Sequence, residues 1–203
     1  MYITRNIENT INRMTNNFKV LLLIGAKQVG KTTLLRHLAD GTERKYVTLD
    51  DPMVRSLALE DPALFLQRYN PPVLIDGIQC APTLLNYIEA YIDLHNEKSS
   101  IWLTSSQRFS FLEDFIEKLA DRVGVVDLYG LSLNEINSRD NSPFLPVYEN
   151  LLHRSKNTKK SGLKEIYKTI WQGSMPAIYN NSNIEWQTYY ASYMQQLLQY
   201  NIR

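Results

Sequence analysis

Val20-Leu21-Leu22-Leu23-Ile24-Gly25-Ala26-Lys27-Gln28-Val29-Gly30-Lys31-Thr32-Thr33 sets five aliphatic residues directly before the spacing G-x-x-x-x-G-K-[ST]. An apolar run of that length, closed by glycine, is the pattern of a short strand covered on both faces, as in a parallel sheet. A helical stretch from Lys31 to about Ala39 follows at once. The four fixed positions match by chance about once per 10⁴ to 10⁵ starting points, so accident in one chain has odds below about one in a hundred. Glycines at 25 and 30 permit torsions and close approach that a β-carbon obstructs, so successive N–H groups can turn toward phosphate oxygens at a positive helix start. Lys31 is expected to reach the β- and γ-phosphates, the Thr32 hydroxyl to ligate Mg²⁺, and Thr33 to lie beside the α-phosphate. The candidate nucleotide-binding set is therefore Gly25, Ala26, Lys27, Gln28, Val29, Gly30, Lys31, Thr32 and Thr33. The competing reading is a glycine-rich turn with no ligand.

Outward from this stretch, strands alternate with helices. Ile7, Ile11 and Met14 mark an amphipathic helix ahead of the first strand. Further strands are read at Lys45–Leu49, Val73–Ile75, Ile101–Leu103 and Val123–Leu128. Between them, Asp51-Pro52 and Asp61-Pro62 each place a capping carboxylate before a proline suited to a first helical turn. Apolar stripes at Leu84, Leu85, Ile88 and Ile92, and at Phe111, Leu112, Phe115 and Leu119, give two more helices. Such alternation predicts a three-layer α/β fold with a mostly parallel five-stranded sheet.

Magnesium bound to a nucleotide needs an acidic partner at the end of a neighbouring strand, and Val73-Leu74-Ile75-Asp76 supplies one. Asp76 is thus the second candidate metal ligand beside Thr32; the alternative is an ordinary Asp-Gly turn residue. Asp50 and Asp51 close the second strand and could share that edge, or could cap the helix at Pro52.

At this point the chain resembles the prokaryotic AAA+-like P-loop ATPases, whose phosphate loop typically reads G-P-R-Q-V-G-K-T-T against G-A-K-Q-V-G-K-T-T here. The likeness continues through Tyr46-Val47-Thr48-Leu49-Asp50-Asp51-Pro52, Leu103-Thr104-Ser105-Ser106-Gln107, Leu119-Ala120-Asp121-Arg122-Val123, Gly130-Leu131-Ser132-Leu133-Asn134-Glu135-Ile136 and Gly173-Ser174-Met175-Pro176-Ala177. The resemblance implies a P-loop NTPase fold, ATP with Mg²⁺ as ligands, and ATP preferred over GTP. It implies catalytic parts for Lys31 and Asp76, a polar sensor at Thr104 and Ser105, and a phosphate-contacting arginine at Arg122, in cis or across a subunit interface. Plain readings compete: a Ser/Thr turn for the hydroxyls, and an ion pair with Asp121 or Glu117 for Arg122. The family motif D-E-I-Q appears as Asp76-Gly77-Ile78-Gln79. In relatives the glutamate would activate the attacking water; glycine cannot, which implies nucleotide binding with slow hydrolysis. Two functions follow, a weak ATPase or a nucleotide-gated interaction module acting through a partner or a homo-oligomer. Relatives continue into a C-terminal domain, expected here to be absent or encoded elsewhere.

Composition narrows the classes. Among 203 residues, 22 Lys and Arg stand against 21 Asp and Glu, so no overall basic excess advertises nucleic acid. His153, Arg154, Lys156, Lys159 and Lys160 form a local basic cluster without interleaved aromatics, a weak nucleic-acid signal against a solvated loop. One cysteine, Cys80, excludes an internal disulfide and a cysteine-based zinc site, and no apolar run reaches membrane-spanning length, so a cytoplasmic protein is expected. Three parts are expected: a nucleotide-binding domain over 1–136, a polar loop or lid over 137–161, and a C-terminal helical appendage over 162–203. Ser132 with Glu135 forms a capping-box pattern near the first boundary, and Trp186, Tyr190, Tyr193, Leu197 and Tyr200 line one face of the last helix.

Overall fold

A computed structural model describes residues 2–139, 146–157, 161–181 and 183–201. Arg5–Tyr129 forms one compact unit, and the chain from Gly130 onward, with the residues before Arg5, forms a second.

The first unit is built around strand β1 (Val20–Ile24), buried at every position. Alternate side chains leave a strand on opposite faces. Val20, Leu22 and Ile24 accordingly join one cluster with Phe65, Ile88 and Phe115, while Leu21 and Leu23, on the other face, are equally buried. This two-sided cover explains the unbroken aliphatic run. The remaining strands are β2 (Lys45–Thr48), β3 (Val73–Asp76), β4 (Ile101–Ser105) and β5 (Val123–Asp127), in spatial order β2-β3-β4-β1-β5. Every pairing is parallel, with Ile24 opposite both Ser105 and Asp127, and Thr48 opposite Asp76. All five carboxyl ends therefore meet at one edge, the three-layer α/β arrangement expected from the alternation.

The helices are α1 (Glu8–Thr15), α2 (Lys31–Ala39), α3 (Pro52–Glu60), α4 (Pro62–Arg68), α5 (Leu84–Leu94) and α6 (Ser110–Lys118). Asp51 caps α3 and Asp61 caps α4, each with proline at the helix start. A 3₁₀ turn at Ile78–Cys80 follows β3. At the opposite edge, Arg44 donates to the Ser99 carbonyl (2.6 Å) and lies 4.0 Å over the Trp102 ring, and burial pushes its guanidinium down to about 10.

The second unit is helical. Helix α7 (Leu133–Ile136) carries the Ser132–Glu135 capping box with both bonds made. Helix α8 (Tyr148–Asn157) occupies part of the stretch read as loop or lid, whose residues 140–145 and 158–160 lie outside those described. Helices α9 (Leu163–Gln172), α10 (Pro176–Asn180) and α11 (Trp186–Asn201) follow. Two aromatics of α11 turn back on this unit: Tyr190 Oη donates to the Gln172 carbonyl (3.3 Å), and Trp186 lies 6.1 Å from Trp171. Among the described residues, no helix is long and apolar enough to cross a membrane.

Candidate functional site

The loop between β1 and α2 is shaped by its glycines. A Cβ on Gly25 would stand 2.3 Å from the Leu128 carbonyl oxygen, so the strand end admits no side chain there. Gly30 enters α2 at φ +98°, a left-handed conformation that favours glycine. Gln28 also has positive φ (+64°), which costs a non-glycine residue about 1–2 kcal/mol and marks a tightly constrained turn. Ala26, Lys27 and Gln28 are exposed at its tip, and Val29 is buried beneath it.

Lys31 lies back across this loop. Its ammonium donates to the carbonyls of Gly25 and Ala26, both at 2.8 Å, and only 8% of the residue is exposed. Burial pushes its pKa down, the Asp76 charge opposes that, and Lys27 adds to it. Thr32, one residue on, points its hydroxyl at Asp76, with Oγ1 2.9 Å from each carboxylate oxygen. Thr33 is exposed.

Asp76 collects hydroxyls from three elements. Besides Thr32 on α2, Thr104 Oγ1 of β4 donates to it at 2.5 Å and Tyr46 Oη of β2 at 3.2 Å. Burial and then the Asp76 charge push the Tyr46 phenol up. Thr104 also accepts from the Gly77 N–H (2.9 Å), which ties the next residue to the same network. The two hydroxyls at the end of β4 thus separate: Thr104 faces Asp76, whereas Ser105 Oγ bonds the Gln107 carbonyl in a turn (2.6 Å).

Lys31, Thr32, Asp76 and Thr104 therefore converge. Arg122 does not join them. Its carbonyl accepts from Lys19 and Val20 N–H, which puts it at the amino ends of β1 and β5, about 16 Å of strand from the loop edge. There its guanidinium pairs with Asp93 and Asp121. The ion pair with Asp121 is made, at the strand ends opposite the loop edge.

Residues that sequence reasoning missed include Arg5, 6% exposed, whose guanidinium donates to the Val29 carbonyl (3.1 Å) and the Tyr129 carbonyl (2.7 Å), fastening the loop. No periodicity or spacing distinguishes that arginine from others in the polar amino-terminal segment. Arg108 pairs with Asp127 at 2.8 Å on the loop edge. Tyr46 gave no signal beyond its place in a strand. Of the basic cluster, His153, Arg154 and Lys156 lie on α8, while Lys159 and Lys160 fall outside the described residues.

A family model described as "AAA domain" matches residues 17–137. Among solved structures, the chain is similar to the Walker-type ATPase of Pyrococcus abyssi, with 12% identity, a TM-score of 0.54, and coverage of 88% of this chain and 65% of that one. It is similar also to a Signal Transduction ATPase with Numerous Domains, carrying a tetratricopeptide repeat sensor, from Pyrococcus horikoshii, with 16% identity, a TM-score of 0.50, and coverage of 88% and 29%. At such identities the likeness speaks for the fold. The chain spans less than two thirds of either relative's length. No curated protein matches its sequence. The match covers more than half of the chain and contains the glycine loop and Asp76, so this protein belongs to the AAA-domain family of P-loop ATPases.

Proposed function

We propose that this domain binds ATP with Mg²⁺ at the loop 25–33 and hydrolyses it slowly. The observation that carries the reading is the pairing of the Thr32 hydroxyl with the Asp76 carboxylate at 2.9 Å, with the Lys31 ammonium close enough to feel the Asp76 charge. Hard oxygen donors of this kind suit Mg²⁺, which keeps several waters and takes few protein ligands. Thr32 and Asp76 would hold the ion, and the ion when bound supplies charge neutralisation between the β- and γ-phosphates. Lys31 would leave the loop carbonyls for phosphate oxygens, and Thr104, bonded to Asp76, would hold that carboxylate in place. Gly77 provides no side chain to activate water, and losing a positioned base costs a factor of about 10² to 10⁴ in rate.

Gly77 also favours a second reading within the same site. A domain that retains ATP without rapid turnover serves as a nucleotide-gated interaction module, its two states read by a partner or by a second copy. Helix α9 supports this reading with Leu163, Ile170 and Trp171 each about two thirds exposed.

The test is a titration of ATP, GTP and ADP with Mg²⁺, read as thermal shift and as phosphate release, with Lys31→Ala as control. A ligand at 100 times its Kd stabilises by about 2.7 kcal/mol. The wild type should gain that stability with ATP and release phosphate slowly; Lys31→Ala should gain none. A folded wild type that no triphosphate stabilises refutes both readings.

A further inference from the structure

We infer that Asp50 supplies the carboxylate that Gly77 lacks and acts as the general base toward the water attacking the γ-phosphate. The inference rests on the reading of the loop as a triphosphate site. In the sequence Asp50 and Asp51 are equivalent candidates, both following β2 and preceding Pro52. The structure separates them. Asp51 Oδ1 accepts from the N–H groups of Met53 (2.8 Å) and Val54 (3.4 Å) and so caps α3. Asp50 takes no part in the cap. Its backbone N–H donates to Thr48 Oγ1 (3.2 Å), and its side chain is exposed.

The decisive geometry lies at Gly77. A Cβ placed on that residue would stand 3.9 Å from Asp50 Oδ1 and 3.5 Å from Gln79 Nε2. A glutamate's carboxylate oxygens lie about 3 Å beyond its own Cβ, so the region such a side chain would sweep borders the Asp50 carboxylate. The space beside Gly77 thus has a carboxylate acceptor and an amide donor within 4 Å of the same point. Gln79 is oriented by its Oε1, which accepts from the Ser106 N–H (3.2 Å); its Nε2, turned toward Gly77, has the Cys80 thiol at 3.9 Å as its one acceptor among the described residues, a long contact that a water can replace. Gly77 is fixed as well: its N–H donates to Thr104, and Thr104 donates to Asp76. The pairing of β2 with β3 brings Asp50 there, since the Leu49 N–H bonds the Asp76 carbonyl (2.9 Å) and carries the next residue to the same edge.

In the step, the water oxygen bonds to the γ-phosphorus while one of its protons passes to the Asp50 carboxylate. The bond from that phosphorus to the bridging oxygen breaks, and ADP leaves with the electron pair. Inorganic phosphate is the other product, and Asp50, exposed, returns its proton to solvent. Gln79 positions the water by donating to it.

The test uses the full chain under single-turnover conditions, with labelled ATP and saturating Mg²⁺, and measures bound nucleotide and released phosphate separately. Lys31→Ala sets the background. Asp50→Asn and Asp50→Ala should bind ATP as the wild type does but release phosphate about 10²-fold more slowly, as expected for loss of a general base. Added formate, a small carboxylate, should restore part of the rate to Asp50→Ala and none to Lys31→Ala. The inference is overturned if Asp50→Asn releases phosphate at the wild-type rate. It is overturned also if the wild type holds ATP yet releases no more phosphate than the background. A wild type that binds no ATP refutes the triphosphate site itself, an outcome told apart by the binding arm.

Discussion

Replacing Gly77 by glutamate gives the D-E-I-Q motif that the resemblance implies, at a position whose neighbours are defined. The new Cβ would meet nothing closer than Gln79 Nε2 at 3.5 Å, an ordinary contact, so no overlap opposes the change. The backbone does oppose it. Gly77 sits at φ +87° and ψ 43°, where a non-glycine residue costs about 1–2 kcal/mol. For a chain of this size that cost lowers the melting temperature by about 2–8 °C. Gly77→Ala carries the same torsional cost without the carboxylate, so the difference between the two variants isolates the carboxylate's chemistry. With Asp50→Asn in both, so that no other carboxylate stands in, Gly77→Glu should exceed Gly77→Ala in turnover by about 10². The measurements are differential scanning fluorimetry without nucleotide, ATP affinity, and phosphate release at saturating ATP. In the Gly77→Glu background Asp50→Asn should then have little effect on turnover. Equal turnover of the glutamate and alanine variants in the Asp50→Asn background, with both folded and both binding ATP, would refute the reasoning.

Two further expectations concern the ion and the far edge. Chelating Mg²⁺ with EDTA should remove most of the thermal stabilisation that ATP confers, and Asp76→Asn should do the same while remaining folded, since an amide oxygen still accepts from Thr32 and Thr104; stabilisation indifferent to EDTA would contradict the assignment of Thr32 and Asp76. Arg44→Lys should cost about 1–3 kcal/mol in urea unfolding, because an ammonium replaces the fork that bonds Ser99 and stacks on Trp102, and should leave ATP affinity unchanged.

The parts of the fold governed by short-range pattern were legible. Val20–Ile24 is aliphatic throughout because both its faces are covered, and Asp51 and Asp61 cap the helices that their prolines begin. Helix α8 escaped detection because Asn, Ser, Lys and Pro dominate its surroundings and read as loop; its Leu151 and Leu152 stay about 40% exposed. Helix α10 is a single short turn beginning at Pro176, below the length at which periodicity is visible. In the site, the loop and Asp76 were readable because their spacing is local. Pairing across the sheet was not. Tyr46 meets Asp76 only through the β2–β3 register, and Asp50 differs from Asp51 only once that register sets the strand end. Arg122 was brought in by resemblance; its place is fixed by the bonds its carbonyl makes before β5 begins.

The ammonium of Lys31 already has two carbonyl oxygens as company, and the Thr32 hydroxyl already has a carboxylate. Any anion arriving at the loop must outcompete these oxygens, so association trades one set of polar contacts for another. Calorimetry should record a modest heat for such a trade. Discrimination among anions then depends on how many oxygens a ligand can bring at once, which ranks a chelated polyphosphate above a single phosphate or sulfate.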